Sequence, residues 1–252
     1  MNTFQSSGEL KASAREHMFG HYGTAIGAYL IVMFCITFPT LAAAMLTNPG
    51  TAAGTVIYYI ISFGISVLTG VFVSGNCYLY LKISCGYPVT VSDVFYGFKL
   101  CPDKALKIQV WITAVSYIAN IPLMIISYQM NHAAQNNILG TAAGLMLPYS
   151  LAMIFSYAVS IMLSLIYQQA FYLLHDFPQY SARELLSMSR RLMKGHKGRL
   201  FYIYVSFIPL VLLSVLSCGI ALLWIAPYVS ATQTEFFLDV IKHSDPHKIY
   251  AE

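Results

Sequence analysis

The residues of this chain best suited to chemistry fall into three groups. Histidines form the first: His17 and His21 stand four residues apart, as do His243 and His247, and His175 precedes Asp176. Four-residue spacing places two imidazoles on one helix face, as a zinc site requires. Met18 and Phe19 follow His17, so no HExxH pattern forms, and Pro246 interrupts any helix carrying both His243 and His247. No metal and no cofactor is expected. His175 and Asp176 have the form of an acid/base pair, but Pro178 marks that place as a turn leaving an apolar run. Amides form the second group: Asn76, Asn120, Gln168, Gln169 and Gln233 sit within apolar runs. Hydrogen bonding between helices accounts for them, and Asn76, Asn120 and Gln168 are the candidates to line an internal cavity. The third group is a run of cations, Arg183, Arg190, Arg191, Lys194, Lys197 and Arg199, against one carboxylate, Glu184. Such a cluster can hold an anionic lipid headgroup or an acidic partner. GxSxG, Walker A and dinucleotide fingerprints are missing, and Cys35, Cys77, Cys85, Cys101 and Cys218 show no CxxC spacing.

What positions these groups follows from the bulk numbers. Of 252 residues, 58% are hydrophobic and 10% charged, with a mean hydropathy of +0.64. Soluble domains carry roughly 25% charged residues, so a soluble enzyme, a disulfide scaffold and a disordered chain are excluded. The net charge of +4 gives no argument for nucleic acid. Six apolar stretches run over 24–46, 53–81, 108–129, 142–172, 200–217 and 219–234. A span needs about 20 residues; the fourth exceeds that and should tilt or protrude. Ser217, Cys218 and Gly219 alone divide the last two, which predicts a tight hairpin. The expected organisation is an amphipathic segment over 1–23, a membrane domain over 24–238 with loops at 82–107 and 173–199, and a tail over 239–252.

The cations set the topology. All 14 Lys and Arg lie before the first stretch, between the second and third, between the fourth and fifth, or after the sixth. The connections around Asn48, His132 and Cys218 contain none. By the positive-inside rule both termini are cytoplasmic. A cleaved signal peptide ending near 41–44 fits less well, because the first apolar run exceeds a normal signal core. No Asp, Glu, Lys or Arg falls inside the six stretches, which argues against an ion-coupled pump.

An internal repeat emerges from the same segments. Ser6-x-x-Glu9-Leu10 matches Ser181-x-x-Glu184-Leu185. Without a gap, Arg15 then meets Arg190, Met18 meets Met193, Gly20 meets Gly195 and His21 meets His196. A third copy starts at Thr90-x-x-Asp93-Val94 and fades near Cys101-Pro102, which should shorten its helix. Each start predicts a capping box. After Ser181, Leu185, Leu186, Met188, Leu192 and Met193 share one helical face, and Arg183, Arg190, Arg191, Lys194 and Lys197 the other. A helix of this kind can lie flat in the inner interface with its cations toward headgroups. The predicted repeat is an interfacial helix, a span, an uncharged outer turn and a second span. Gly64, Gly70, Gly75, Gly140 and Gly144 are expected to permit close helix packing.

Several of these segments resemble one family. They are His175-Asp176-x-Pro178, Ser181-Ala182-x-Glu184-Leu185, Ser189-Arg190-x-Leu192-Met193-x-Gly195-His196, Phe95-Tyr96-Gly97-Phe98, and Gly219-Ile220-x-Leu222-Leu223-Trp224-x-x-Pro227-Tyr228. Over nearly the whole chain it is similar to the domain of unknown function 975 (DUF975) family. That resemblance implies a multi-pass bacterial membrane protein and supplies no activity. The sequence reading is thus an all-α polytopic protein of the cytoplasmic membrane, with six transmembrane helices in three repeats. Its function is read as a non-enzymatic scaffold or accessory protein that binds anionic membrane lipids, or a membrane protein partner, through a basic cytoplasmic face. The alternatives are a carrier or export factor for a lipid-like or peptide-like amphiphile, and a headgroup enzyme using His175 and Asp176.

Overall fold

The computed structural model describes residues 4–47, 51–136 and 143–244. Pro246, His247, Lys248, Gly140, the turn at Asn48 and the start of the fourth stretch lie outside the described residues. Among the described residues every regular element is helical. The helices are α1 (Ser7–Met18), α2 (Tyr22–Leu46), α3 (Ala52–Ser84), a 3-10 helix (Val91–Phe98), α4 (Pro102–Gln135), α5 (Met146–Tyr167), α6 (Gln169–Asp176), α7 (Ala182–Leu192), α8 (Lys197–Val205), α9 (Ile208–Leu216) and α10 (Leu222–His243).

Five helical stretches are long and apolar enough to cross a membrane: Tyr22–Leu46, Ala53–Ser84, Pro102–Ala133, Met146–Asp176 and Lys197–Leu216. Their outward faces carry apolar side chains such as Phe34, Ile60, Ile118, Ile154 and Leu212 in exposed positions. That surface is explained by lipid, because water would disfavour it. The sixth expected stretch falls in α10, which is not among the five. It does not stop at 234 but continues to His243, taking Glu235 and Asp239 into the helix.

The three predicted helix starts carry matching caps. The Ser6 N–H donates to Glu9 Oε2 at 2.6 Å, and the Ser181 N–H donates to Glu184 Oε2 at the same 2.6 Å. Each serine Oγ accepts the return bond, from the Glu9 N–H at 3.3 Å and the Glu184 N–H at 3.4 Å. These donors hold both carboxyls below the usual glutamate range. The Thr90 N–H donates to Asp93 Oδ2 at 2.8 Å. Burial pushes the Asp93 carboxyl up, but the Thr90 N–H and the Lys82 ammonium outweigh it and leave it lowered. The third element is an eight-residue 3-10 helix. It stops at Phe98, and Cys101, at φ 46, turns the chain before Pro102 opens α4, in keeping with the short helix that the Cys101-Pro102 pair predicts. Gly20 and Gly195 follow the other two helices with φ of 83 and 88, a region open to glycine at little cost.

Two compact units result. One comprises Met1–Phe34, Gly70–Ile108 and Leu165–Glu252. Its core includes Ala14, Met18, Ala25, Ala28, Leu79, Tyr80, Ile83, Val94 and Ala231. Within it the 3-10 helix presses backbone against backbone onto α3. A Cβ on Gly75 would overlap the Val94 carbonyl, with its carbon only 2.6 Å away. One on Gly97 would overlap the Val71 carbonyl and approach the Gly75 nitrogen to 2.9 Å. Of the glycines expected at close contacts, Gly75 therefore serves that role, whereas a methyl added at Gly64 or Gly144 would have nothing within 4 Å. The other unit comprises Cys35–Thr69 and Gln109–Ser164. There, Phe63 and Tyr117 meet edge to face at 5.3 Å. Several hydroxyls return to their own helix, as Ser116 does to the Ile112 carbonyl at 2.8 Å.

Candidate functional site

The cation run begins on α7. This helix buries Ala182, Leu185, Met188, Ser189 and Leu192 inside the first compact unit, and Ser189 Oγ donates to the Ile166 carbonyl at 2.6 Å. The apolar face is thus taken up by protein, not by lipid as expected for a helix lying flat in the interface. The opposite face leaves Arg183, Arg190, Arg191 and Lys194 exposed, with Lys197 half-buried just beyond. A helix fixed on its apolar side holds its cations in a set arrangement. Arg199 leaves this group. Its Nη2 donates to Asp239 Oδ2 at 2.7 Å and to the Gln5 carbonyl at 2.8 Å.

That pairing belongs to a hub around the C-terminal half of α10. Glu235 and Asp239, one helical turn apart, are only 7% and 6% exposed. Glu235 Oε1 lies 2.8 Å from His17 Nδ1, and Oε2 accepts from Ser13 Oγ at 3.0 Å. Asp239 also accepts from the Gln5 N–H at 3.4 Å and lies 3.2 Å from His243 Nδ1. The Phe4 ring packs against His196 and His243 at 4.8 and 5.0 Å, with the Arg199 guanidinium 4.7 Å from its centre. Burial and the nearby Arg199 push the His196 imidazole below its ordinary range. His17 therefore serves as a carboxylate partner, which explains an imidazole beside the buried Leu10–Ala14–Met18 stripe.

The remaining candidates separate. His175 Nε2 sits 2.8 Å from the Ser74 carbonyl and 3.2 Å from Ser74 Oγ. A carbonyl only accepts, so Nε2 carries the proton and cannot take one from the serine. Asp176 is exposed. The pair is therefore not built as a general base with its carboxylate. Gln168 donates to Gln233 Oε1 at 3.1 Å and accepts from the Tyr204 hydroxyl at 3.4 Å. Asn120 belongs to the other compact unit and donates to the Ser116 carbonyl of its own helix at 2.6 Å. Asn76 is half-buried on α3. A groove of about 360 Å³ in that second unit is lined by Val56, Tyr59, Ile60, Phe63 and Tyr117, and by none of the three amides.

A family model described as a protein of unknown function, DUF975, matches residues 1–244. The chain belongs to the DUF975 family. No curated protein and no solved structure matches it. For this DUF975 chain, membership agrees with the apolar helices in making it a membrane protein, and it brings no activity. The residues that sequence reasoning missed are Glu235 and Asp239. Hydropathy ends at 234, so Glu235 falls just past the sixth apolar stretch and Asp239 opens the tail. The available signal was their i, i+4 spacing among Phe236, Phe237 and Val240, with no breaker before Ser244.

Proposed function

We propose that this protein is a six-span scaffold of the cytoplasmic membrane, with both termini inside, whose α7 cations bind anionic lipid headgroups. The observation that carries the reading is the division of α7: its apolar face is used within the protein, and Arg183, Arg190, Arg191 and Lys194 remain exposed. Charge, not insertion, is what such a surface offers a partner. Replacing Arg190, Arg191 and Lys194 together with glutamate tests it. Each basic residue near an anionic surface contributes roughly 1 kcal/mol, so affinity should fall at least roughly a hundredfold. Native mass spectrometry of the purified full chain should then lose the anionic lipids that accompany the wild type. An unchanged lipid complement would refute the assignment.

Two observations support the sixth span and the repeat. Cys218 and Gly219 take φ of 51 and 87, and the Gly219 N–H donates to the Ser214 carbonyl at 2.8 Å, so the chain reverses between α9 and α10. The burial of α1–α2 also recurs in α7–α8: Leu10 and Leu185, Ala14 and Ser189, Met18 and Met193, Ala25 and Leu200, and Ala28 and Ile203 are all buried. In this reading each repeat docks its first helix on the second span of the repeat before it. The 3-10 helix rests on α3, α7 rests on α6, and α1 closes the cycle on α10. The native cysteines test the topology. A membrane-impermeant maleimide should label the exposed Cys218 in intact cells and the exposed Cys85 only after lysis. Labelling of both from the same side would overturn the six-span arrangement.

A further inference from the structure

Within the first compact unit, α3, α6 and α10 are joined pairwise by buried and half-buried polar side chains. The Tyr172 hydroxyl of α6 meets Thr234 Oγ1 of α10 at 3.1 Å and the Cys77 thiol of α3. The Tyr80 hydroxyl of α3 meets Ser230 of α10, and His175 closes the third side on Ser74. Gln169 opens α6, one turn before Tyr172 on the same face. It is 0% exposed, yet neither its Nε2 nor its Oε1 has a hydrogen-bond partner. The Gln233 Nε2 and the His175 Nδ1 are likewise buried without one.

Burying an amide unpaired forfeits its bonds to water and gives nothing back, whereas leucine would fill much the same volume without that loss. The unpaired groups are one acceptor and one donor on a single side chain, a second amide donor on α10 and, because Nε2 carries the proton, an acceptor at His175 Nδ1. Among the described residues, no Asp, Glu, Lys or Arg takes part in the polar contacts of this junction, and Glu235 is engaged instead by Ser13 and His17 of α1. An ion here would find no charged hydrogen-bonding partner in the junction, so the complementary species is neutral and carries both a donor and an acceptor.

We propose that the α3–α6–α10 junction binds a small neutral hydrogen-bonding group at Gln169. Its chemistry is that of water, or of a hydroxyl or amide head of a larger ligand. This site is separate from the α7 cations and does not depend on them. The full chain in lipid nanodiscs, wild type against Gln169→Leu, provides the test. Loss of bound partners should lower the unfolding midpoint by a few degrees. An unchanged or raised midpoint would overturn the proposal, because the amide would then have been only a penalty. Native mass spectrometry separates the two sources. An extra neutral mass present in the wild type and absent from the variant identifies an organic ligand, and equal occupancy with the lowered midpoint identifies water. Should the leucine variant fail to fold, the wild type alone decides. With side-chain ¹⁵N-glutamine, magnetisation transfer from water or ligand protons to Gln169 Nε2 is expected, and its absence refutes the site.

Discussion

Gly75→Ala should destabilise the protein by roughly 3 kcal/mol, toward the upper end of what overpacking does to a core. The reason is what the new methyl meets. At Gly75 it would overlap the Val94 carbonyl, which is backbone and cannot rotate away. Relief requires the 3-10 helix to move off α3. That movement would break the Lys82–Asp93 ion pair at 2.9 Å and the Tyr78–Tyr96 stack, whose centroids lie 3.9 Å apart. Gly97 faces the same contact from the other side, and Gly97→Ala should behave alike. Gly64→Ala is the control, because its methyl would meet nothing within 4 Å. On an open helical face that change is neutral or stabilises by up to about 1 kcal/mol. Thermal unfolding of the three variants in detergent checks the difference. If Gly75→Ala unfolds at the same temperature as Gly64→Ala, the backbone contact does not hold the two elements together.

How much of the molecule is legible in its sequence depends on how local each signal is. The caps at Ser6, Thr90 and Ser181 are legible because hydroxyl and carboxylate lie three residues apart and act on the turn between them. The apolar helices are legible from run length alone. Gly75 is among the glycines expected at close contacts, but sequence cannot separate it from Gly64, since only the facing carbonyl distinguishes them. The basic face of α7 is legible as a set of residues, while the surface beneath it is not. A 3.6-residue period shows that a face is apolar and is silent on whether lipid or protein covers it. Arg199 shows the same limit. Nothing local removes it from the cation run, because its partner Asp239 lies 40 residues away. His17 and Glu235 are 218 residues apart. The buried acids escape a hydropathy reading because the apolar run ends before the helix does.

Asp239→Ala should be the second large effect, and it separates Arg199 from the exposed cations proposed to bind lipid. The Asp239 side chain is 3% exposed and that of Arg199 28%. Removing the carboxylate leaves a guanidinium held by the Gln5 carbonyl, the rings of Phe4 and Phe236 and the solvent that its exposed part reaches. Breaking a buried pair from one side typically costs 3–5 kcal/mol; with Arg199 partly exposed, about 3 kcal/mol is expected here. Arg199→Met alone should cost less, since Asp239 keeps the Gln5 N–H and His243. The double variant Arg199→Met with Asp239→Leu should recover most of the loss, because an apolar pair of similar volume removes both desolvated charges. Unfolding midpoints of wild type, Arg199→Met, Asp239→Leu and the double variant close this double-mutant cycle. Lipid retention read on the same samples gives the second answer. If Arg199 acts through Asp239 to fasten the N-terminal segment to α10, the double variant regains stability and keeps its anionic lipids. If Arg199 instead binds headgroups beside Arg190 and Lys194, lipids are lost in both Arg199 variants and the leucine at 239 restores nothing.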